Sequence, residues 1–553
     1  MNPLIGLKTI TLPLLIAISF AYFGLSPTAK ALLPAPSPDG GYPGGNTAEG
    51  INALHDLTTG LNNTAVGASA LGNNTTGGWN VAVGGLALGS NTTGNFNMAI
   101  GAEALANNNA NFNLAIGFRV LFMNTTGNHL TGVGAAALRN NTTARFNTAI
   151  GADAMRENTT GENNTAIGAD ALSSNTTGFQ NTAVGTGALL NNTTGDGNTA
   201  TGINALFSNS EGNFNTAIGG AALVSNTTGA GNTATGSLAL NANTTGSLNT
   251  ATGFAALQNN TGTNNTAMGA GALDSNTSGG GNTATGVSAL GDNTLGGSNT
   301  AIGADALSDN TNGGGNTASG VNALLSNTDG DFNTAIGFNA LNINTTGNSN
   351  IALGFSAGSN ITGDNNIDIG STGGGAESGT IRIGQLGSQT TTFVAGIRGV
   401  TTGNANAIPV VIDSTGQLGT ASSSQRFKHD IKGIDKTSEG ILALKPVTFH
   451  YKSDKTNTPQ FGLIAEEVAA VNPDLVVRDD KGEIYTVRYE AVNAMLLNEF
   501  LKEHGKVEQL EKDFESKFAE QQKQIEALSA GLQKVTADVE TSRPAPQMVV
   551  NEQ

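Results

Sequence analysis

The sequence predicts a mainly β protein: a long parallel β-solenoid with coils of about 17 residues, then a small α+β domain ending in a long coiled-coil helix. Three observations carry this. A glycine-marked motif recurs at near-constant spacing from residue 61 to residue 375. The composition then shifts, with 17 of the 25 Lys+Arg lying beyond residue 420. The final stretch has apolar residues at alternating three- and four-residue steps, the seam of a coiled coil.

The whole-chain numbers exclude several classes. Gly makes up 77 of 553 residues and charged residues only 12%, against roughly 25% charged in ordinary globular proteins. A net charge of −17 leaves no long basic face for nucleic acid. With no cysteine there are no disulfides and no thiolate metal ligands. No metal and no cofactor are expected.

At the N-terminus, Lys8 precedes an apolar run over residues 10–25, followed by Ala29-Lys30-Ala31. This run is short for a membrane span and suits a signal peptide over residues 1–31, leaving no span after its removal. Residues 32–60, with Pro34, Pro36, Pro38 and Pro43, are expected to be a linker.

The repeat follows over residues 61–375. One coil reads Asn164-Thr165-Ala166-Ile167-Gly168-Ala169-Asp170-Ala171-Leu172-Ser173-Ser174-Asn175-Thr176-Thr177-Gly178-Phe179-Gln180. The marker glycine recurs from Gly67 to Gly370 in steps of 17, with three steps of 16. So short a unit cannot hold two helices. It is expected to hold two short strands joined by turns, with Asn and Gly supplying positive φ angles. The leucine four residues after the glycine (Leu71, Leu88, Leu105 and onward) is placed in the core. The residue before the glycine varies between Ile or Val and Thr, as at Thr201 and Thr235, so it is expected to be partly exposed or to face a neighbouring chain. An Ala/Leu core is thin for one chain, and a homotrimer is expected.

Trp79, Phe96, Phe112, His129 and Phe146 each lie five residues before a marker glycine, on consecutive coils. They form a candidate ligand ladder suited to sugar rings. The simpler reading is that they pack coil on coil or chain on chain. Thr-x-Thr segments such as Thr233-Ala234-Thr235 alternate too irregularly with Ile coils for an ice-binding array. The recurring Asn-x-Thr triplets read as turn chemistry rather than glycosylation sites. The NTAIG and NTAVG motifs resemble the head repeats of trimeric adhesins of the YadA-like type, which implies a parallel β-roll. The coil here is longer than that family's. No series of amphipathic strands follows, so an outer-membrane anchor is not expected.

Residues 376–421 read as a β-rich neck, with strands at 380–384, 391–397 and 408–413. Beyond it stands Ser422-Ser423-Ser424-Gln425-Arg426-Phe427-Lys428-His429-Asp430-Ile431. A serine and a lysine can act as nucleophile and base. The lysine must first give up its proton, which burial or a cation such as Arg426 favours. By spacing alone a serine-rich linker and a solvated lysine are the commoner reading.

The surrounding motifs point further. Arg426-Phe427-Lys428-His429-Asp430-Ile431, Leu442-Ala443-Leu444-Lys445-Pro446-Val447-Thr448-Phe449-His450-Tyr451, Phe461-Gly462-Leu463-Ile464-Ala465-Glu466-Glu467-Val468, Asn472-Pro473-Asp474-Leu475-Val476 and Tyr485-Thr486-Val487-Arg488-Tyr489 occur in order. Residues 423–500, within a domain expected over 422–500, resemble the intramolecular chaperone domain of phage endosialidases and tail fibres, a self-cleaving peptidase family. The resemblance implies Ser423 as nucleophile, Lys428 as its base and the Ser422–Ser423 bond as the one cut, in a single-turnover Ser–Lys autoproteolysis. Ser424 stands where many members have Asp, and the serine run leaves the register open by one residue. In this domain 447–451 and 484–489 read as strands and 464–471 as a helix. From residue 492 one long helix is expected, with the coiled coil over residues 501–540 and a disordered tail over 541–553.

The implied protein is an exported trimeric fibre or adhesin-like surface protein, secreted or held at the cell surface. Its expected partners are two further copies of itself and a cell-surface or extracellular polysaccharide or protein. The alternatives are a fibre with an uncleaved trimerisation domain, or one that binds or degrades polysaccharide. Degradation needs paired carboxylates, and no such pair recurs near one coil in the sequence.

Overall fold

The computed structural model describes residues 42–397, 403, 406–413, 415–479 and 481–542. The expected signal peptide, the first part of the expected linker and residues 543–553 lie outside these. The chain divides into two compact units, Met1–Thr391 and Thr392–Gln553.

The first unit is a parallel β-solenoid. It has 21 strands of three residues, β1 (Thr47–Glu49) to β21 (Ile381–Ile383). Each pairs in register with the strand one coil on, as Thr165, Ala166 and Ile167 pair with Thr182, Ala183 and Val184. Two boundaries move relative to the sequence reading. Tyr42 bridges Asn46, and β1 pairs with β2 (Thr64–Val66), so the first coil occupies part of the expected linker. At the other end β21 pairs with β20 (Ile367–Ile369), beyond residue 375.

Each coil carries one strand, not two. In the strand the alternation of side chains buries the middle alanine completely, as at Ala166, and turns its two neighbours outward. The expected second strand is replaced by left-handed backbone. In the coil of Gly168, the φ angles of Asp170, Leu172 and Gln180 are 57°, 51° and 57°. A non-glycine residue in this region costs about 1–2 kcal/mol. For the leucine the conformation turns its side chain inward, and it is wholly buried. Burying a leucine yields about 1.5–3 kcal/mol, enough to offset that cost.

The marker glycine has no substitute. Gly168 has φ +136°, and a Cβ on it would meet the carbonyl oxygen of Gly185 in the next coil at 2.5 Å.

Two asparagine ladders complete the core. Asn164 N–H donates to Asn147 Oδ1 at 2.8 Å, and Asn164 Oδ1 accepts from Asn181 N–H at 2.8 Å. In the second ladder Asn175 Nδ2 donates to Asn158 Oδ1 at 2.7 Å, and Asn192 Nδ2 donates to Asn175 Oδ1 at 2.8 Å. Both Asn164 and Asn175 donate to the Gly178 carbonyl, at 2.8 and 3.0 Å, which ties the two ladders together. These amides are fully buried and satisfied, as interior polar groups must be. Buried Asn175 begins an Asn-x-Thr triplet, so turn and core chemistry accounts for it.

The 16-residue coils lose their residue in the turn. Asn91 reaches the carbonyl of Gly94, three residues on, whereas Asn108 and Asn260 reach Ala110 and Gly262, two residues on. Strand register and core rows are therefore unbroken.

The alanine row ends in polar residues. Asp368 takes the alanine's place in β20 and aligns with Arg382 in β21. The Arg382 guanidinium pairs with Glu377 at 2.6 Å. Asp368 is 2% exposed and its Oδ1 has no partner. Burial pushes its carboxyl above the ordinary range. The apolar column stops here, as a terminal repeat requires.

The second unit is α+β. β22 (Val410–Ile412) and β23 (Leu418–Thr420) form a hairpin, and residues 391–397, expected as a strand, form none. β24 (Val447–Phe449) pairs with β25 (Gln460–Gly462), and β26 (Val476–Arg478) with β27 (Ile484–Val487). Helix α1 (Ala465–Val471) ends before Pro473. Helix α2 (Tyr489–Thr541) is continuous through the boundary expected at residue 501. Val468, Leu475, Val476, Val487 and Met495 form the core.

Candidate functional site

Ser423 and Lys428 are brought together by a single local turn. Residues Gln425–Phe427 form one 3₁₀ turn, closed by Phe427 N–H to Ser424 O at 3.1 Å and Lys428 N–H to Gln425 O at 3.0 Å. Ser424 and Lys428, on either side, are extended. The turn reverses the chain over the five-residue spacing, and Lys428 Nζ donates to Ser423 Oγ at 3.3 Å. Residues 421–430 are all exposed. The Arg426 guanidinium lies 4.6 Å from the centre of the Phe427 ring. His429 pairs with Asp430 at 3.0 Å in open solvent. Among the described residues no N–H donates to the carbonyl oxygen of Ser422. The Ser423 hydroxyl and the Lys428 amine are thus in contact next to the Ser422–Ser423 peptide bond, and among the described residues no oxyanion site is built beside them.

The other motifs of this unit have structural places. Asn472 Oδ1 accepts from Asp474 N–H at 2.9 Å and opens a 3₁₀ turn at Pro473. Tyr489 Oη accepts from Leu463 N–H at 3.1 Å and joins α2 to the segment before α1.

One cluster has no signal in the sequence. Ser438, fully buried, donates to Glu499 and accepts from Asn498 Nδ2 at 2.7 Å. Lys502 Nζ reaches Glu499 at 2.7 Å and the Asp435 carbonyl at 2.8 Å. These bonds from Lys502 and Ser438 hold the Glu499 carboxyl below its ordinary range. The partners lie about 60 residues apart, and only the docking of the 3₁₀ stretch Asp435–Ala443 on α2 assembles them.

The aromatic ladder forms. Ring centres are 6.2 Å apart for Trp79–Phe96 and 5.1 Å apart from Phe96 through Phe112 and His129 to Phe146. The rings stack, near-parallel from Trp79 to Phe112 and tilted by 25–27° around His129, and they are half exposed. Neighbours cover one another's faces along the row. Sugar rings stack on faces, so the ladder interior favours coil packing.

Stacking also brings carboxylates together. Asp274, Asp292 and Asp309 come from consecutive coils, and the sequence reading found no such grouping. Burial, then the charge of Asp292, raises the carboxyls of both Asp274 and Asp309. No group of three or more metal-ligating side chains is poised to hold an ion among the described residues.

Taken together, these features define a β-solenoid followed by a small α+β domain with a long C-terminal helix. Residues 423–477 of that domain match the family described as chaperone of endosialidase, and the match begins at Ser423. No curated protein and no solved structure matches the chain. No helix among the described residues is long and apolar enough to cross a membrane.

Proposed function

We propose that this is an exported fibre whose C-terminal domain gathers three copies, sets the solenoids in register and then cuts itself free. The observation that carries the reading is the 3.3 Å contact of Lys428 with Ser423, at the first residue of the chaperone match.

In the proposed reaction neutral Lys428 takes the Ser423 hydroxyl proton as Oγ attacks the Ser422 carbonyl carbon. The peptide C–N bond breaks, Lys428 returns the proton to the departing Ser423 amine, and an ester joins Ser422 to Ser423 Oγ. Water hydrolyses that ester and leaves the Ser422 carboxyl and the Ser423 hydroxyl. Lys428 is exposed in one chain. Association excludes water, favours the neutral amine and can bring oxyanion donors from a second copy.

The long helix supports association. Val507, Leu510, Phe514, Phe518, Ile525, Leu528, Leu532, Val535 and Val539 are each at least 50% exposed along α2. With polar Gln521 between Phe518 and Ile525 they follow three- and four-residue steps, with one stutter at 514–518, and match a coiled-coil seam. Assembling long parallel strands is slow and prone to slipped register, which a C-terminal trimer would prevent. Removing it afterwards would leave the fibre kinetically trapped.

Intact mass of wild type, Ser423→Ala and Lys428→Ala tests this. Two wild-type fragments meeting at Ser422/Ser423, with both variants whole, is the expected result. A whole wild-type chain that sediments as a trimer removes the peptidase and leaves a permanent trimeric foot. A monomer removes the chaperone reading as well.

A further inference from the structure

A groove of about 590 Å³ crosses the first coils of the solenoid. Its size is in the range of small-ligand sites. Its floor is the row five residues after the marker glycine: Gly72, Gly89 and Ala106. The same row holds His55 in the coil before and Phe122 in the coil after, and these two close its ends.

One wall is charged and braced. Arg119 Nε donates to Glu103 Oε2 at 2.6 Å. The guanidinium also lies 5.0 Å and 5.6 Å from the ring centres of Phe118 and Phe122. Three contacts therefore hold Arg119 in place before any ligand arrives, while about a third of its side chain stays open. The facing wall is Asn73, Ser90 and Asn107. Asn107 Nδ2 is committed to the Phe122 carbonyl at 2.8 Å, and its amide oxygen accepts no hydrogen bond among the described residues.

We propose that this groove binds a linear saccharide lying along the solenoid axis. The walls carry amide, hydroxyl, carboxylate and guanidinium groups, and the only large apolar side chains are Leu86 and Phe122. That lining suits a polyhydroxylated ligand better than an apolar one. Arg119 has its charge matched by Glu103, which disfavours a polyanion such as nucleic acid. An extended peptide would need free strand-edge groups. Here the wall backbone is already paired between coils, Asn73 N–H to Gly89 O at 3.1 Å and Ser90 N–H to Ala106 O at 2.8 Å. Four coil steps of about 4.8 Å give roughly 19 Å from His55 to Phe122, room for a short oligomer. The groove belongs to the solenoid, so the proposal stands whether or not the chain cuts itself at Ser423.

Calorimetric titration of the full chain with cellotetraose, maltotetraose, chitotetraose and mannotetraose tests it. The expected result is saturable binding of at least one of them. Ala106→Phe places in the floor the side chain that row already holds at Phe122, so the fold is kept. It is expected to weaken binding by about tenfold or more at an unchanged melting temperature, and Asn107→Ala by severalfold. Absence of saturable binding to all four overturns the proposal. So does binding that Ala106→Phe leaves unchanged, or that only extended peptides produce.

Discussion

Gly132 and Val120 show how far one side chain depends on another. Most strands carry alanine at their centre, and β6 (Thr131–Val133) carries Gly132. Most coils carry alanine three residues after the marker glycine, and the coil before that of Gly132 carries Val120. A Cβ on Gly132 would come within 2.5 Å of Val120 Cγ1. The two departures conserve volume across adjacent coils. Gly132→Ala is therefore expected to lower stability by about 1–3 kcal/mol, an overpacking cost. Adding Val120→Ala should recover most of it. Urea unfolding of the two single variants and the double variant measures that coupling.

At the level of the element, the asparagine ladders behave as continuous columns. Asn175 is bonded above and below, whereas Asn344 ends its column because Ile361 stands in the next place. Asn344 Oδ1 has no partner. Asn175→Ala breaks a satisfied column and is expected to cost about 1–3 kcal/mol. Asn344→Ala is expected to cost less, since it keeps the two bonds from its Nδ2 but lacks the third, accepted at Oδ1, that Asn175 has. Urea midpoints compared side by side decide this, and equal losses would refute the column picture. The helices follow a similar logic. The Ser438–Glu499–Lys502 network fixes one end of α2, while the apolar seam further along is exposed.

Over the whole molecule, charge is sparse, and where it gathers it sets a pH dependence. Asp274 and Asp309 are held above the ordinary carboxyl value of 3.8 by burial and by Asp292. Both hold a proton more tightly folded than unfolded. As pH falls from neutral through their raised values toward 3.8, the folded solenoid takes up protons first and gains stability. Above that window the penalty is fully present. Asp274→Asn and Asp309→Asn should therefore raise the melting temperature at pH 7 and lose that advantage near pH 3. Thermal unfolding followed at both pH values checks this. An equal gain at both would mean that charge is not the cause.

The sequence by itself determined the period, the parallel stacking and the buried leucine row. A repeat of 17 residues with one invariant glycine can close on itself in few ways, and in-register stacking is the way that buries every copy alike. It also marked Ser423 and Lys428, because their contact needs only one local turn. It did not reveal that the second apolar patch is left-handed turn rather than strand. Short Ala-Leu segments fit either, and inter-coil hydrogen bonds decide between them. Nor did it reveal the asparagine ladders, the carboxylates of Asp274, Asp292 and Asp309, the groove at Gly72, Gly89 and Ala106, or the Ser438 network. Each of these joins residues a full coil or more apart. Their contacts exist only once coil lies on coil or α2 docks, so tertiary structure alone brings them together.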